Sequence, residues 1–149
     1  MKVLMVCLGN ICRSPLAEGI LKSKVDSAYI KVDSAGTASY HVGNPPDPRS
    51  IKVAQENGID ISKQRCRKFT ASDFDRFDLI YAMDKSNYGN IIGLARTKED
   101  TEKVRLLLSE IDLDDKEVPD PYYDSRDGFE KVYRMIDQAC DVIAARLEK

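Results

Sequence analysis

The chain has 149 residues, 42% of them hydrophobic and 32% charged, and a formal net charge of −2. That is enough apolar material for one core of ordinary size, and a single domain over residues 1–149 is expected. Charges of both signs are mixed along the chain, which gives no electrostatic reason to expect nucleic acid or an anionic membrane as a partner.

The opening run Lys2 to Val6 is short, apolar and partly β-branched, as in a buried strand of a parallel sheet. It is too short for a signal-peptide core or a bilayer span, so a cytoplasmic protein is expected. A loop containing Gly9 and Asn10 follows, and Ser14-Pro15-Leu16-Ala17-Glu18 then reads as a helix start. Leu16, Ile20, Leu21 and Val25 give that helix one apolar face. Ile30 to Asp33 is a second strand candidate, closed by Ser34-Ala35-Gly36-Thr37. Tyr40 to Pro48 contains Gly43 and three prolines and is predicted to be a long ordered loop. Asp47-Pro48 starts a helix that Asn57-Gly58 ends.

Asp78 to Met83 and Val104 to Leu108 are the third and fourth strand candidates. In the last segment Phe129, Val132, Tyr133, Ile136, Ala139, Cys140, Ile143 and Leu147 follow helical spacing, and Asp127 with Glu130 has the spacing of a capping box. Strands alternating with helices or long connections predict an α/β fold. The expected form is a three-layer sandwich: a central four-stranded parallel sheet flanked by helices, with a phosphate-binding loop after the first strand.

The four cysteines, Cys7, Cys12, Cys66 and Cys140, do not read as a disulfide framework in a chain of this size and context. Nor do they suggest zinc, since His41 is the only histidine and no Cys-x2-Cys pair exists. Cys140 lies on the apolar stripe and is expected in the core. Cys66 sits within the basic run Lys63, Arg65, Arg67 and Lys68, which reads as a solvated face.

The stretch Cys7-Leu8-Gly9-Asn10-Ile11-Cys12-Arg13-Ser14 joins the first strand to the first helix. Ligands of open α/β sheets bind at such junctions, where a helix N-terminus offers unpaired N–H groups to an anion. Gly9 permits a loop whose successive amides converge on one point. Arg13 adds a planar fork for two phosphate oxygens. At the base of this cradle Cys7 would be favoured as thiolate, with Ser14 as a further hydrogen-bond partner. A Walker-type loop is excluded, because no Gly-Lys-Ser/Thr follows the glycine. Asp120, within Val118-Pro119-Asp120-Pro121-Tyr122-Tyr123, is a candidate proton donor whose loop two prolines stiffen and whose carboxyl two aromatics could desolvate. An ordinary Asp-Pro turn accounts for the same residues.

The run Val6 to Glu18 resembles the signature of low-molecular-weight protein tyrosine phosphatases. The resemblance continues through Asp33-Ser34-Ala35-Gly36-Thr37, Val42-Gly43-Asn44-Pro45-Pro46-Asp47, Met83-Asp84 and Asp120-Pro121-Tyr122-Tyr123, in the family's order and over nearly the whole chain. It implies a protein-tyrosine-phosphatase with Cys7 as nucleophile, Arg13 as phosphate ligand and Asp120 as general acid and then base, without metal or cofactor. Leu8, Gly9, Asn10, Ile11, Cys12 and Ser14 would form the phosphate and substrate loop. Asn10, Ser14 and Ser34 would brace it, Leu8 and Ile11 would touch the phenyl ring, and Tyr40, Tyr122 and Tyr123 would line the groove. Cys7 and Cys12 would form a reversible disulfide under peroxide. The implied partners are phosphotyrosine-containing proteins or peptides, met by a monomer or weak dimer.

Two positions depart from the pattern. Gln64 stands where many relatives carry histidine, and it can hydrogen-bond without carrying charge. Pro48 stands where some eukaryotic relatives place an aromatic. An arsenate reductase of related fold would need relay cysteines after the third strand, and Met83 to Leu94 has none. A phosphoarginine phosphatase of similar loop would carry threonine where Ile11 stands, and a branched apolar residue suits an aromatic ring better than a guanidinium.

Overall fold

The computed structural model describes residues 1–111, 116–122 and 126–148. In chain order the elements are β1 (Lys2–Cys7), α1 (Arg13–Lys24), β2 (Lys31–Gly36), α2 (Pro48–Glu56), α3 (Asp73–Arg76), β3 (Leu79–Ala82), α4 (Lys85–Ile92), α5 (Lys98–Glu102), β4 (Val104–Leu106) and α6 (Arg126–Leu147). The strands form one four-stranded sheet in the order β2-β1-β3-β4, and each neighbouring pair is parallel.

The sheet has helices on both faces, which explains the unbroken apolar character of β1. Val3, Met5 and Cys7 point into one core cluster and Leu4 and Val6 into the other, the two-residue alternation of a strand. The first cluster joins the sheet to α1, α2 and α6, through residues such as Leu16, Ile20, Val53, Phe129 and Ile136. The second joins it to α3 and α4 through Phe69, Phe74 and Ile91. On α6 the predicted stripe is buried from Phe129 to Ile143, including Cys140, and Leu147 packs partly against it. Each large apolar side chain removed from water in this way contributes about 1.5–3 kcal/mol before entropy is counted. Among the described residues no helix is long and apolar enough to cross a membrane.

Several boundaries differ from those expected. β2 runs on from Asp33 to Gly36, because Ser34, Ala35 and Gly36 stay in register with Met5, Val6 and Cys7. β4 stops at Leu106, and Leu107–Glu110 turns into a short 3-10 helix that buries Leu107 and Leu108 on the α6 side. α1 begins at Arg13, with Cys12 in the cap position and no side-chain cap. α6 starts at Arg126, so Asp127 stands inside the helix and not at the cap position expected of it. Asp127 lies in its first turn, where a negative charge suits the positive end of the helix dipole. α2 follows its signals. Asp47 accepts the Arg49 N–H at 2.8 Å, Pro48 occupies the first helical position, and Gly58 takes the left-handed conformation (φ 79) just beyond Asn57.

The strand order positions the site. From β1 the chain crosses to β2 on one side, and β3 then returns to the other side of β1. The carboxyl ends of β1 and β3 therefore flank the point where the connections diverge, which is where open α/β sheets hold ligands.

Candidate active site

Cys7 ends β1 and is 2% exposed. Its sulfur lies 3.0 Å from Ser14 Oγ and accepts the Asn10 N–H at 3.3 Å. Asn10 Nδ2 donates to Ser14 Oγ at 2.8 Å. The serine therefore turns its own proton elsewhere, and the sulfur at 3.0 Å is nearer than the Ala35 carbonyl at 3.4 Å. Asn10 is the one non-glycine residue with positive φ (58) among those described, and its buried side chain is bonded on both ends. Nδ2 also donates to Ser34 Oγ at 3.0 Å, and Oδ1 accepts the Arg67 N–H at 3.1 Å. Ser34 in turn donates to Glu18 Oε1 at 2.7 Å, and Lys22 caps the other Glu18 oxygen at 2.6 Å. A buried polar chain with all members partnered holds a single geometry.

The loop rests on the end of β2. The Thr37 and Ala38 N–H groups donate to the Cys7 and Leu8 carbonyls, each at 2.9 Å. Gly36, opposite Cys7, allows the close approach: a Cβ there would stand 2.8 Å from the Leu8 carbonyl oxygen and 3.1 Å from Asn10 N.

Arg13 opens α1, also buried. Its Nη1 donates to Asp84 Oδ2 at 2.6 Å and to the Val118 carbonyl at 3.1 Å, and its Nη2 lies 3.7 Å from Asp120 Oδ2. Burial opposes the charge, but the Cys7 sulfur and the Asp84 carboxylate outweigh it and hold the guanidinium above its ordinary pKa. Asp84 follows β3 and has a second role. Its other oxygen accepts the Asn87 N–H at 2.7 Å and caps α4.

These groups open into a cleft of about 320 Å³ lined by Cys7, Leu8, Gly9, Ile11, Cys12, Arg13, Tyr40, His41, Asp120 and Tyr122. Asn10 and Ser14 lie beneath it. Tyr123 falls outside the described residues. The Asp120 side chain is 45% exposed. Tyr122 donates its N–H to Asp120 Oδ1 at 3.1 Å and turns its ring toward Arg49 (5.6 Å) and His41 (6.5 Å). Cys12 is buried, and burial, with the Asp47 charge next, pushes its thiol far up, so it keeps its proton at neutral pH. Gln64 Nε2 donates to the Pro15 carbonyl at 3.1 Å, a bond that needs no charge.

The sequence assigns no site role to two residues here, although Asp84 stands within the Met83-Asp84 match. His41 drew notice only as a lone candidate metal ligand, yet it walls the cleft edge-on to Tyr40 at 6.4 Å. It packs over Gly9, where an added Cβ would meet its ring at 3.2 Å. Asp84 is the anchor of Arg13, and its usable signal was an aspartate at a strand end directly before a helical segment.

The geometry has counterparts in known proteins. The chain matches the family described as low molecular weight phosphotyrosine protein phosphatase over residues 2–149. The protein of that name from Schizosaccharomyces pombe is 44% identical over 140 residues, covering 89% of this chain and 87% of its own. The crystal structure of a protein tyrosine phosphatase from Entamoeba histolytica, with Hepes in its active site, superposes with a TM-score of 0.92 at 37% identity, over 99% of this chain and 97% of that one. Wzb of Vibrio vulnificus, solved in complex with benzylphosphonate, gives 0.87 at 33% identity over 97% of both chains. Similarity of this extent is not confined to the loop, and the chain belongs to the low molecular weight phosphotyrosine protein phosphatases.

Proposed function

We propose that the chain dephosphorylates phosphotyrosine in proteins or peptides by way of a cysteinyl-phosphate on Cys7. The observation that carries this reading is the Cys7 sulfur at the floor of the cleft, met by Ser14 Oγ at 3.0 Å and the Asn10 N–H at 3.3 Å beside the uncapped start of α1. A thiolate accepts such hydrogen bonds better than a thiol does.

In the first step the sulfur attacks phosphorus in line with the leaving oxygen. The phosphorus–oxygen bond to the phenol breaks, and Asp120 gives its proton to that oxygen. In the second step Asp120 takes a proton from water, whose oxygen attacks phosphorus. The sulfur–phosphorus bond breaks and the thiolate returns with release of inorganic phosphate. The exposure of Asp120 suits this second step, which needs water. Arg13 is held by Nη1 on Asp84 and Val118, so its Nε–Nη2 edge is the one offered to two phosphate oxygens. Those bonds and the loop amides stabilise the charge of the transition state.

Leu8, Ile11, Tyr40, His41 and Tyr122 form the slot for the ring. The benzylphosphonate held by the Vibrio vulnificus relative, a phenyl ring joined to a phosphonate, fits the same division between slot and cradle. We place the reaction in the cytoplasm, in a single catalytic domain acting as a monomer or weak dimer. None of the four cysteines is in a disulfide, which agrees with a reducing compartment.

The test is a panel of phosphotyrosine peptide, phosphoserine peptide, phosphoarginine and arsenate, with Cys7→Ser as control. Turnover of phosphotyrosine alone is expected, together with labelled phosphate trapped on Cys7 by rapid denaturation during turnover. Phosphotyrosine hydrolysis that survives in Cys7→Ser overturns the mechanism.

A further inference from the structure

Cys66 lies between α2 and α3, is 4% exposed and is not part of the cleft wall. Its Sγ donates to the Asn10 carbonyl at 2.7 Å. Its main chain faces the other way: the Cys66 N–H donates to the Asn44 carbonyl and the Cys66 carbonyl accepts the Gly43 N–H, both at 2.8 Å. One residue thus touches the phosphate loop with its side chain and the rim loop with its backbone.

The peptide it grips has a special place. The Asn10 carbonyl and the Ile11 N–H belong to one planar trans unit and point in opposite directions. Asn10 sits at φ 58, outside any regular ladder that would fix this plane, and Ile11 lines the cleft. A thiol that holds the carbonyl on the buried side turns the Ile11 N–H toward the cleft. Burial, and next the charge of Cys7, raises the Cys66 thiol to about 11, so it carries its proton at neutral pH and can donate.

Resting on the phosphatase reading above, we propose that Cys66 is a positioning residue of the phosphate loop. By holding the Asn10 carbonyl it aims the Ile11 amide at a phosphate oxygen, and through Gly43 and Asn44 it ties that peptide to the loop carrying Tyr40 and His41. The rival role is that of a small buried filler, for which the proton on sulfur has no importance.

The test uses 4-nitrophenyl phosphate as substrate and inorganic phosphate as competitive inhibitor. Activity of the parent and its loss in Cys7→Ser establish the phosphatase reading beforehand, so a later failure concerns Cys66 alone. Cys66→Ala is expected to weaken phosphate inhibition and lower kcat/KM by about fivefold each, as fits the loss of one buried hydrogen bond. Cys66→Ser, which keeps a donor, is expected to return both to within about twofold of the parent. In the amide spectrum of the parent, the Ile11 proton is expected to move downfield as phosphate is added. A Cys66→Ala enzyme identical to the parent overturns the proposal, as does equal impairment of the alanine and serine variants. An Ile11 amide in the parent that ignores phosphate also overturns it, and that measurement stands even if the alanine variant does not fold.

Discussion

At the floor of the cleft Asn10, Arg13 and Ser14 are at most 2% exposed and every polar atom of Asn10 has a partner, whereas at the rim Tyr40 is 77% exposed and Tyr122 39%. Groups that stabilise a transition state must be in place before the substrate arrives, which demands a supporting shell of fixed hydrogen bonds. Groups that meet the surroundings of the phosphate need only offer surface, and can change without disturbing the fold. The same cleft thus combines a floor fixed by hydrogen bonds with a rim that is exposed.

The contrast can be broken most severely through Asp120, which is exposed like the rim but assigned a task of the floor. Asp120→Ala is expected to lower kcat/KM for phenyl phosphate by about 100-fold or more, with a far smaller loss on 4-nitrophenyl phosphate, whose leaving group needs no proton. Equal losses on both would remove Asp120 from the acid role. The next largest effect is expected at Asp84. Asn caps a helix about as well as Asp, so Asp84→Asn should keep the unfolding temperature while kcat/KM falls about thirtyfold with the charge-assisted bond to Arg13. A matching loss of stability would mean that Asp84 serves α4 rather than Arg13.

Asp47 sits between floor and rim, its N–H on the Ile11 carbonyl at 2.8 Å and its carboxylate on Arg49. Burial would raise its pKa, but the Arg49 hydrogen bonds and charge outweigh this and hold the carboxyl below its usual range. A depressed folded value means that the stabilisation is present above the unfolded pKa, near ~3.9, and is lost as the pH falls through the folded value. Denaturant titrations should show Asp47→Ala less stable than the parent by about 1 kcal/mol at neutral pH, with the gap narrowing as the pH falls below the unfolded value of ~3.9. A gap that stays constant to low pH would assign the effect to packing. The smallest change is expected at the rim: Tyr40→Ala should raise KM for a phosphotyrosine peptide about threefold and leave kcat and unfolding temperature alone. A fall in stability would show that the rim is braced after all.

What the sequence disclosed follows the same division between near and far. The Cys7–Arg13 spacing, the strand before it and the helix after it are local, and the pattern of apolar residues carried them. The α6 stripe was equally plain, although its first turn was misplaced because Asp127 has the residue type of a cap without its position. Asp84, His41 and Cys66 were harder to find, because their meaning depends on the strand order. Only when β3 lies beside β1 does Asp84 come within reach of Arg13, and only when residues 64–67 pass beneath the phosphate loop does Cys66 meet Asn10. The exposure of Asp120 was also illegible, since a neighbouring tyrosine such as Tyr122 says nothing in sequence about where its ring turns.

Gly36 has a consequence for engineering. The residues from Cys7 to Ser14 do not make a portable cassette: grafted behind a strand whose neighbour ends in alanine, their backbone would be lifted by a methyl group 2.8 Å from the Leu8 carbonyl oxygen. A transplant would have to bring along the bare end of the adjoining strand, so the smallest heritable unit of this chemistry is a strand pair and not a peptide.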